Sequence, residues 1–274
     1  MPKKNGEDTS LDFSHLKKEG EIVGLEEADS SHFSPPLLVL LQQQSPQVNK
    51  TADNYIEGAE AGMIMNRLNN KVYDGNKGVM IQPCYFAPRY FHWGTPDVKR
   101  GQFMGVYLDL DKEEFQGATA EKAGIRNYVL PNGDRIEYTY VYFCNLIDEE
   151  TGEKDKVIIS MSRSRIKKGK MWNNLISSKS HKMMFGSLYR LTTVVDRDST
   201  GQYSWYNWNI GTERELLDSS MKAISPEDAD LIEYGMQCHN DFKSTSDAEF
   251  TKIGQSSAPQ LEGGTSSKSD NVAY

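Results

Sequence analysis

One stretch of the chain collects positive charge without any carboxylate. Residues 156–195 contain nine Lys or Arg residues and neither Asp nor Glu, although the whole chain carries a formal charge of −8. Such a concentration of cations can neutralise the phosphates of a nucleic acid. A solvated helix face is the alternative interpretation. Seven of these side chains are the candidate phosphate contacts: Arg163, Arg165, Lys167, Lys168, Lys170, Lys179 and Lys182.

Aromatic side chains occur in three strand-like runs near this segment, within residues 85–93, 138–143 and 203–208. The bases of a single strand stack on such rings, and each stack contributes about 1–3 kcal/mol without requiring a particular sequence. For any single ring, ordinary packing in the core is the alternative. The candidate stacking residues are Tyr90, Trp93, Trp172, Trp205 and Trp208.

The residue patterns that mark common enzymes do not occur in the sequence. There is no phosphate-binding loop, dinucleotide fingerprint, HExxH zinc motif, nucleophile elbow or CxxC pair. We therefore expect no catalytic activity, no metal and no cofactor. The acidic group Asp109, Asp111, Glu113 and Glu114 could hold Mg²⁺ in a nuclease, although a solvated acidic loop is the preferred interpretation.

Strand patterns dominate the part of the chain that must position these side chains. Residues 135–147 alternate, which places Tyr138, Tyr140 and Tyr142 on one face. A polar turn then leads into 156–162, so the two runs predict a hairpin. Residues 188–195 and 202–210 predict a second hairpin. The strand over 77–93 is expected to break or bulge near Pro83 and Pro88, because proline lacks the N–H that a ladder needs.

Helical patterns are fewer. Residues 165–177 predict one helix, with Ser162 or Ser164 as its N-cap, and Ser225 followed by Pro226 predicts the start of another that ends near Phe242. The sequence therefore predicts a β-dominated α+β fold. We expect a curled antiparallel sheet of five or six strands, or an OB-fold-like barrel, with an inserted helix and a C-terminal helix.

Composition divides the chain into three parts. Residues 1–33 have four basic against eight acidic side chains and predict a disordered acidic arm, whereas 244–274 predict a flexible Ser/Gly-rich tail. Between them, 34–243 predict a single β-rich nucleic-acid-binding domain. No apolar run approaches the ~18 residues of a membrane span. The N-terminus has no secretory signal, and three scattered cysteines fit a reducing cytoplasm.

Several motifs resemble a family of tailed-bacteriophage proteins. They include Tyr55-Ile56-Glu57-Gly58-Ala59, the run GVMIQPCYFAPRYFHWG, Lys167-Lys168-x-Lys170-x-Trp172 and Tyr189-Arg190-Leu191-Thr192-Thr193, and the resemblance covers residues 37–210. It implies a single-stranded DNA-binding protein of a phage replication or recombination module. It also implies residence in the cytoplasm of the infected bacterial host, and a tail ending in Tyr274 that binds phage replication proteins.

The leading hypothesis is a sequence-tolerant protein that binds single-stranded DNA in phage replication or recombination. A virion structural or assembly protein is the alternative from another class, and a Mg²⁺-dependent nuclease is less favoured. The sequence does not decide the oligomeric state, the preference between DNA and RNA, or whether the sheet closes into a barrel.

Overall fold

The computed structural model describes residues 36–95, 102–122 and 126–244. Two α-helices and eleven strands are assigned within these residues. The strands are β1 (Leu38–Leu40), β2 (Ile64–Asn66), β3 (Lys71–Tyr73), β4 (Val79–Trp93), β5 (Phe103–Tyr107), β6 (Thr119–Ala120), β7 (Tyr128–Val129), β8 (Arg135–Ile147), β9 (Lys154–Ser162), β10 (Ser187–Arg197) and β11 (Ser204–Glu215). The helices are α1 (Ile166–Ser177) and α2 (Pro226–Ser244).

The long strands β4 and β8 form the centre of the main sheet. They pair antiparallel over almost their whole length, from Met80 opposite Ile147 to Trp93 opposite Arg135. At one end β10 and then β11 extend the sheet beside β4, and β9 extends it beside β8. At the other end β5 pairs with β4, while β7 and β6 continue from β8. The result is a curled, eight-stranded antiparallel sheet, which confirms the β-dominated α+β fold class.

The predicted number of five or six strands is too low. Strands β6 and β7 have two residues each and β5 has five, which is too short for side-chain alternation to identify them. Strands β1, β2 and β3 form a separate three-stranded sheet. The turn at Asp74 and Gly75, between β3 and β4, therefore joins the two sheets.

The predicted hairpins are β8 with β9 and β10 with β11, and both are confirmed. Within β4 the register shifts between Pro83 and Tyr85, which confirms the expected bulge there. The expectation was wrong for Pro88, because Pro88 pairs in regular register with Tyr140.

The concave face of the sheet carries the largest hydrophobic cluster. Alternation along β8 directs Tyr142, Cys144 and Leu146 into it, where they meet Tyr189 and Trp208. Strand β1 lies alongside β9 through a parallel bridge between Leu37 and Ile158. Helix α1 fits into the same face through Trp172, whose side chain is fully buried. Helix α1 is therefore part of the core and does not stand apart from it.

The opposite face of β4 and β8 is covered by α2. Phe242 stacks on Phe143 with ring centroids 4.1 Å apart, and Cys238 packs in a cluster with Cys84. The helix begins as predicted, since the hydroxyl of Ser225 accepts a hydrogen bond from the N–H of Asp228 at 3.1 Å. The two helices thus bury both faces of the β4/β8 pair around Tyr142 and Phe143.

The predicted N-cap of α1 differs from the structure, and the two predicted terminal segments are largely outside the described residues. Helix α1 has Arg165 at its N-cap with no side-chain hydrogen bond, so the prediction of a Ser162 or Ser164 cap is wrong. The predicted arm (1–33) and all but the first residue of the predicted tail (244–274) lie outside the described residues. In the part of the chain that the structure describes, no helix has the length and apolar character of a membrane span.

Candidate functional site

Most cations of the basic stretch are neutralised by carboxylates from elsewhere in the chain. Five of the nine form ion pairs within 4 Å among the described residues. The pairs are Lys156 with Asp241, Arg163 with Glu137 and Glu121, Lys168 with Asp196, Lys179 with Glu215, and Arg190 with Glu149 and Glu213. The basic stretch therefore does not form a freely exposed basic surface, because the predicted phosphate contacts Arg163, Lys168 and Lys179 already have acidic partners.

Four of the predicted phosphate contacts have no ion pair with a described carboxylate. Arg165, Lys167 and Lys170 lie at the N-terminal end of α1, and Lys182 follows the helix. Burial lowers the pKa of Arg165, which shows that its guanidinium is partly desolvated without a compensating acid. Lys182 adopts a positive φ of 51° and donates to the carbonyl of Ser177. Three of the four unpaired cations of the basic stretch are thus grouped at the start of α1.

Two of the predicted stacking residues are buried. Trp172 lies 4.5 Å from the ring of Tyr142 in a stacked arrangement and 5.8 Å from Tyr189 edge-on, and it is 0% exposed. Trp208 is 1% exposed. The prediction that these two rings stack bases is wrong, because packing of the concave face covers them. Trp93 and Trp205 are half-buried, and in the described structure neither indole N–H has a hydrogen-bond partner.

Five half-buried rings follow one another across β4, β8 and β7 and form what we call the aromatic row: Phe86, Tyr140, Tyr138, Tyr90 and Tyr128. Neighbouring ring centroids lie 5.0 Å apart for the first two, then 5.7 Å, 5.1 Å and 6.3 Å along the row. These spacings are those of edge-to-face or tilted aromatic contacts. The row thus presents a continuous and partly solvent-accessible aromatic surface.

The start of α1 adjoins this row. Gly169 lies so close to Tyr140 that a Cβ at this position would be 2.7 Å from the tyrosine Cδ2. The hydroxyl of Tyr142, the next concave-face residue along β8, lies 2.9 Å from both the Gly169 carbonyl and Asn173 Oδ1. Lys170 follows Gly169 and Lys167 precedes it by two residues, and both are exposed. The start of α1, which carries these unpaired cations, therefore lies beside the Tyr140 ring of the aromatic row.

A further cation, Arg126, lies against the middle ring of the row. The guanidinium carbon of Arg126 lies 5.0 Å from the centroid of the Tyr138 ring, and its Nη1 is 3.3 Å from the Tyr138 hydroxyl. Burial raises the pKa of Tyr90, and also that of Tyr140. Both phenols therefore stay neutral at physiological pH.

Of the aromatic row, only Tyr90 was among the predicted stacking residues. The alternation of 135–147 had already placed Tyr138 and Tyr140 on one face, so a signal for them was available in the sequence. Arg126 gave no signal, because it stands alone in a short segment with no periodic pattern. The tryptophans were predicted from their places in the aromatic runs and beside the cations, and such sequence positions do not show which rings the core covers.

The acidic group of the sequence does not gather around one point. No group of three or more His, Cys, Asp or Glu side chains that could hold a metal occurs among the described residues. Asp109 and Asp111 instead line a cleft next to Tyr90.

Comparison with known proteins identifies a family. Residues 4–246 match the family model described as Pam3 phage gp34-like protein. No curated protein and no solved structure matches the chain. The description of the family names a phage protein and states no activity.

Proposed function

The chain belongs to the Pam3 phage gp34-like protein family, and on that premise we propose that it binds single-stranded DNA, without strict sequence preference, during replication or recombination of the phage genome. The observation that carries the proposal is the aromatic row bordered by unpaired cations. Stacking on rings and neutralisation of phosphates are the two contributions by which proteins hold a single strand.

The geometry favours a single strand over a duplex. A base can stack on a ring of the row only if its face is free, which excludes a base inside a continuous duplex stack. The row spans four ring-to-ring steps of 5.0 to 6.3 Å, so it can be followed by successive bases of an extended strand. Arg126, over the Tyr138 ring, and the cations at the start of α1, beside Tyr140, supply the positive charge for the phosphates of such a strand.

Ion pairing restricts where phosphates can bind. Lys156 and Lys179 already pair with Asp241 and Glu215, at 2.7 Å and 3.0 Å. A phosphate that bound them would have to displace a carboxylate, whereas Lys167 and Lys170 require no such exchange. The proposal therefore assigns phosphate contacts to Arg165, Lys167, Lys170 and Arg126.

The test uses fluorescence anisotropy of a labelled oligo(dT) with the full chain. Removal of one stacking ring in Tyr138→Ala is expected to weaken binding by about 1–3 kcal/mol, at least about fivefold in Kd. Tyr203→Ala serves as the matched control, because this tyrosine is 41% exposed and lies outside the row. Equal effects of the two substitutions, or no binding by the wild type at low salt, would contradict the proposal.

The electrostatic part has its own test. Log K for DNA binding falls as log salt concentration rises. The double variant Lys167→Ala/Lys170→Ala is expected to make this slope less steep by about 0.7 for each phosphate that the protein no longer neutralises. Lys156→Ala is the control, and its slope is expected to match the wild type, since Asp241 occupies that lysine.

Mass spectrometry of purified phage particles separates this proposal from the structural-protein alternative. A DNA-binding protein of replication is expected at trace level in the virion. A high copy number there would count against the proposal.

A further inference from the structure

A cleft opens at the Tyr128 end of the aromatic row. Its volume is about 390 Å³, and Tyr90, Tyr128 and Tyr138 form part of its wall. Leu108, which is 55% exposed, adds an apolar side chain. Small-molecule sites have volumes of about 300–1,000 Å³ and combine apolar walls with a few polar groups. The cleft therefore has the size and the aromatic lining suited to one nucleobase.

The same cleft contains charges of both signs that do not neutralise each other. Asp109, Asp111 and Arg126 all line it, yet none of the three forms an ion pair with another described residue. One oxygen of Asp109 accepts the N–H of Asp111 at 3.2 Å, which fixes the turn between them. Arg126 is held over Tyr138 and away from both carboxylates. A ligand that fits must satisfy separate acidic and basic ends.

A phosphate alone does not suit the acidic end, because two carboxylates repel it. A base edge with N–H donors does, since Asp and Glu accept hydrogen bonds from such edges. Guanine presents a ring N–H and an amino group side by side, so that one carboxylate can accept both. Thymine presents a single N–H between two carbonyls, and these carbonyls would face the carboxylates unfavourably.

We propose that this cleft binds one unstacked base of the DNA strand and prefers guanine, with Asp109 or Asp111 accepting from its Watson–Crick edge and Arg126 contacting the phosphate of the same nucleotide. The inference rests on the proposed function and adds a local base preference to it. The remainder of the row stays tolerant of sequence, because stacking does not read the base edge.

The experiment compares three labelled 12-nucleotide strands by fluorescence anisotropy: oligo(dT), the same strand with one central guanine, and the same strand with hypoxanthine at that position. The guanine strand is expected to bind at least about fivefold tighter than oligo(dT), the lower end of the discrimination that a bidentate contact gives. Hypoxanthine lacks the 2-amino group, so its strand is expected to fall between the other two.

The double variant Asp109→Asn/Asp111→Asn is expected to reduce the guanine preference to less than about twofold while it keeps or raises the affinity for oligo(dT), because two negative charges are removed. Glu150→Gln/Glu153→Gln, in the exposed turn between β8 and β9, removes the same charge outside the cleft. This control is expected to keep the full preference.

The outcomes separate the two proposals. Equal binding of guanine and thymine strands by the wild type, or a preference that survives Asp109→Asn/Asp111→Asn, overturns the base-reading cleft and leaves the general binding proposal standing. Loss of the preference in the Glu150→Gln/Glu153→Gln control also overturns it, since the effect would then be one of net charge. Failure of the wild type to bind any of the strands overturns both.

Discussion

The burial of Trp172 and its predicted role in base stacking lead to different expectations for a substitution. A buried ring contributes to stability, whereas a stacking ring contributes to DNA affinity. The indole is 0% exposed, lies 4.5 Å from the Tyr142 ring at an interplanar angle of 29°, and meets Tyr189 edge-on. Trp172→Ala removes this side chain from the concave-face core and leaves a cavity. Substitutions of this kind lower the free energy of unfolding by about 3–5 kcal/mol. We therefore expect Trp172→Ala to lower stability by this amount.

The conservative substitution Trp172→Phe tests how much of the stability loss comes from ring volume. Among the described residues the indole N–H of Trp172 has no hydrogen-bond partner, so Trp172→Phe loses ring volume but no hydrogen bond. We expect Trp172→Phe to cost less than half as much as Trp172→Ala. A loss of 1 kcal/mol moves the Tm of a domain of this size by about 2–4 °C, so Trp172→Ala is expected to lower Tm by about 10 °C.

The assay is urea unfolding followed by circular dichroism, with oligo(dT) affinity measured at a temperature where each variant is folded. Folded Trp172→Phe is expected to bind the oligonucleotide like the wild type. The reasoning would be refuted by a Trp172→Ala variant within about 1 kcal/mol of wild-type stability, well below the usual cost of a large core deletion. A loss of affinity in Trp172→Phe that equals that of Tyr138→Ala would restore Trp172 as a stacking residue.

Three further substitutions test separate parts of the structure. Gly169→Ala favours the helix by about 1 kcal/mol, but its Cβ would lie 2.7 Å from Tyr140 Cδ2. We therefore expect a lower free energy of unfolding in urea and weaker oligo(dT) binding, and a stabilised variant would contradict the close approach. Arg190→Gln breaks pairs with Glu149 and Glu213 at 2.8 Å and 3.0 Å and is expected to cost about 1 kcal/mol, with Arg190→Lys restoring less than half because lysine cannot pair bidentately. Burial, with Glu114 nearby, raises the pKa of Tyr107 to about 12. Since the fold favours the protonated phenol, this stabilisation is present below pH ~10 and is lost as pH rises through 12. Tyr107→Phe should flatten that loss in unfolding experiments at pH 8–11.5, and a slope equal to that of the wild type would refute the assignment.

Long elements with strong patterns could be predicted from the sequence. Strand β8 spans 135–147 as predicted, because its alternation is uninterrupted, and α2 starts at Pro226 because Ser225 caps it. The short strands β5, β6 and β7 could not be predicted, since they exist through pairing with the ends of β4 and β8. The separate β1-β2-β3 sheet was not predicted either, because its strands have three residues each and are too short to show alternation.

The types of residue in the candidate site could be predicted from the sequence, but not which individual residues form it. The sequence indicated cations and aromatic rings, and the structure contains a surface that combines them. Which members lie there depended on packing. Trp172 and Trp208 are buried in the concave-face core, while Tyr138 and Tyr140 are only half-buried. Alternation gives the face of a strand but not what covers that face.

The sequence by itself determined the antiparallel hairpins, the two helices, and a stretch of nine cations without an acid inside an acidic chain. Only the tertiary structure decided which of those cations remain unpaired. Their partners are remote in sequence, with Lys156 bonded to Asp241 across 85 positions and Arg190 to Glu149 across 41. Charge along a chain is local, whereas ion pairing depends on distances in space, and the fold sets those distances.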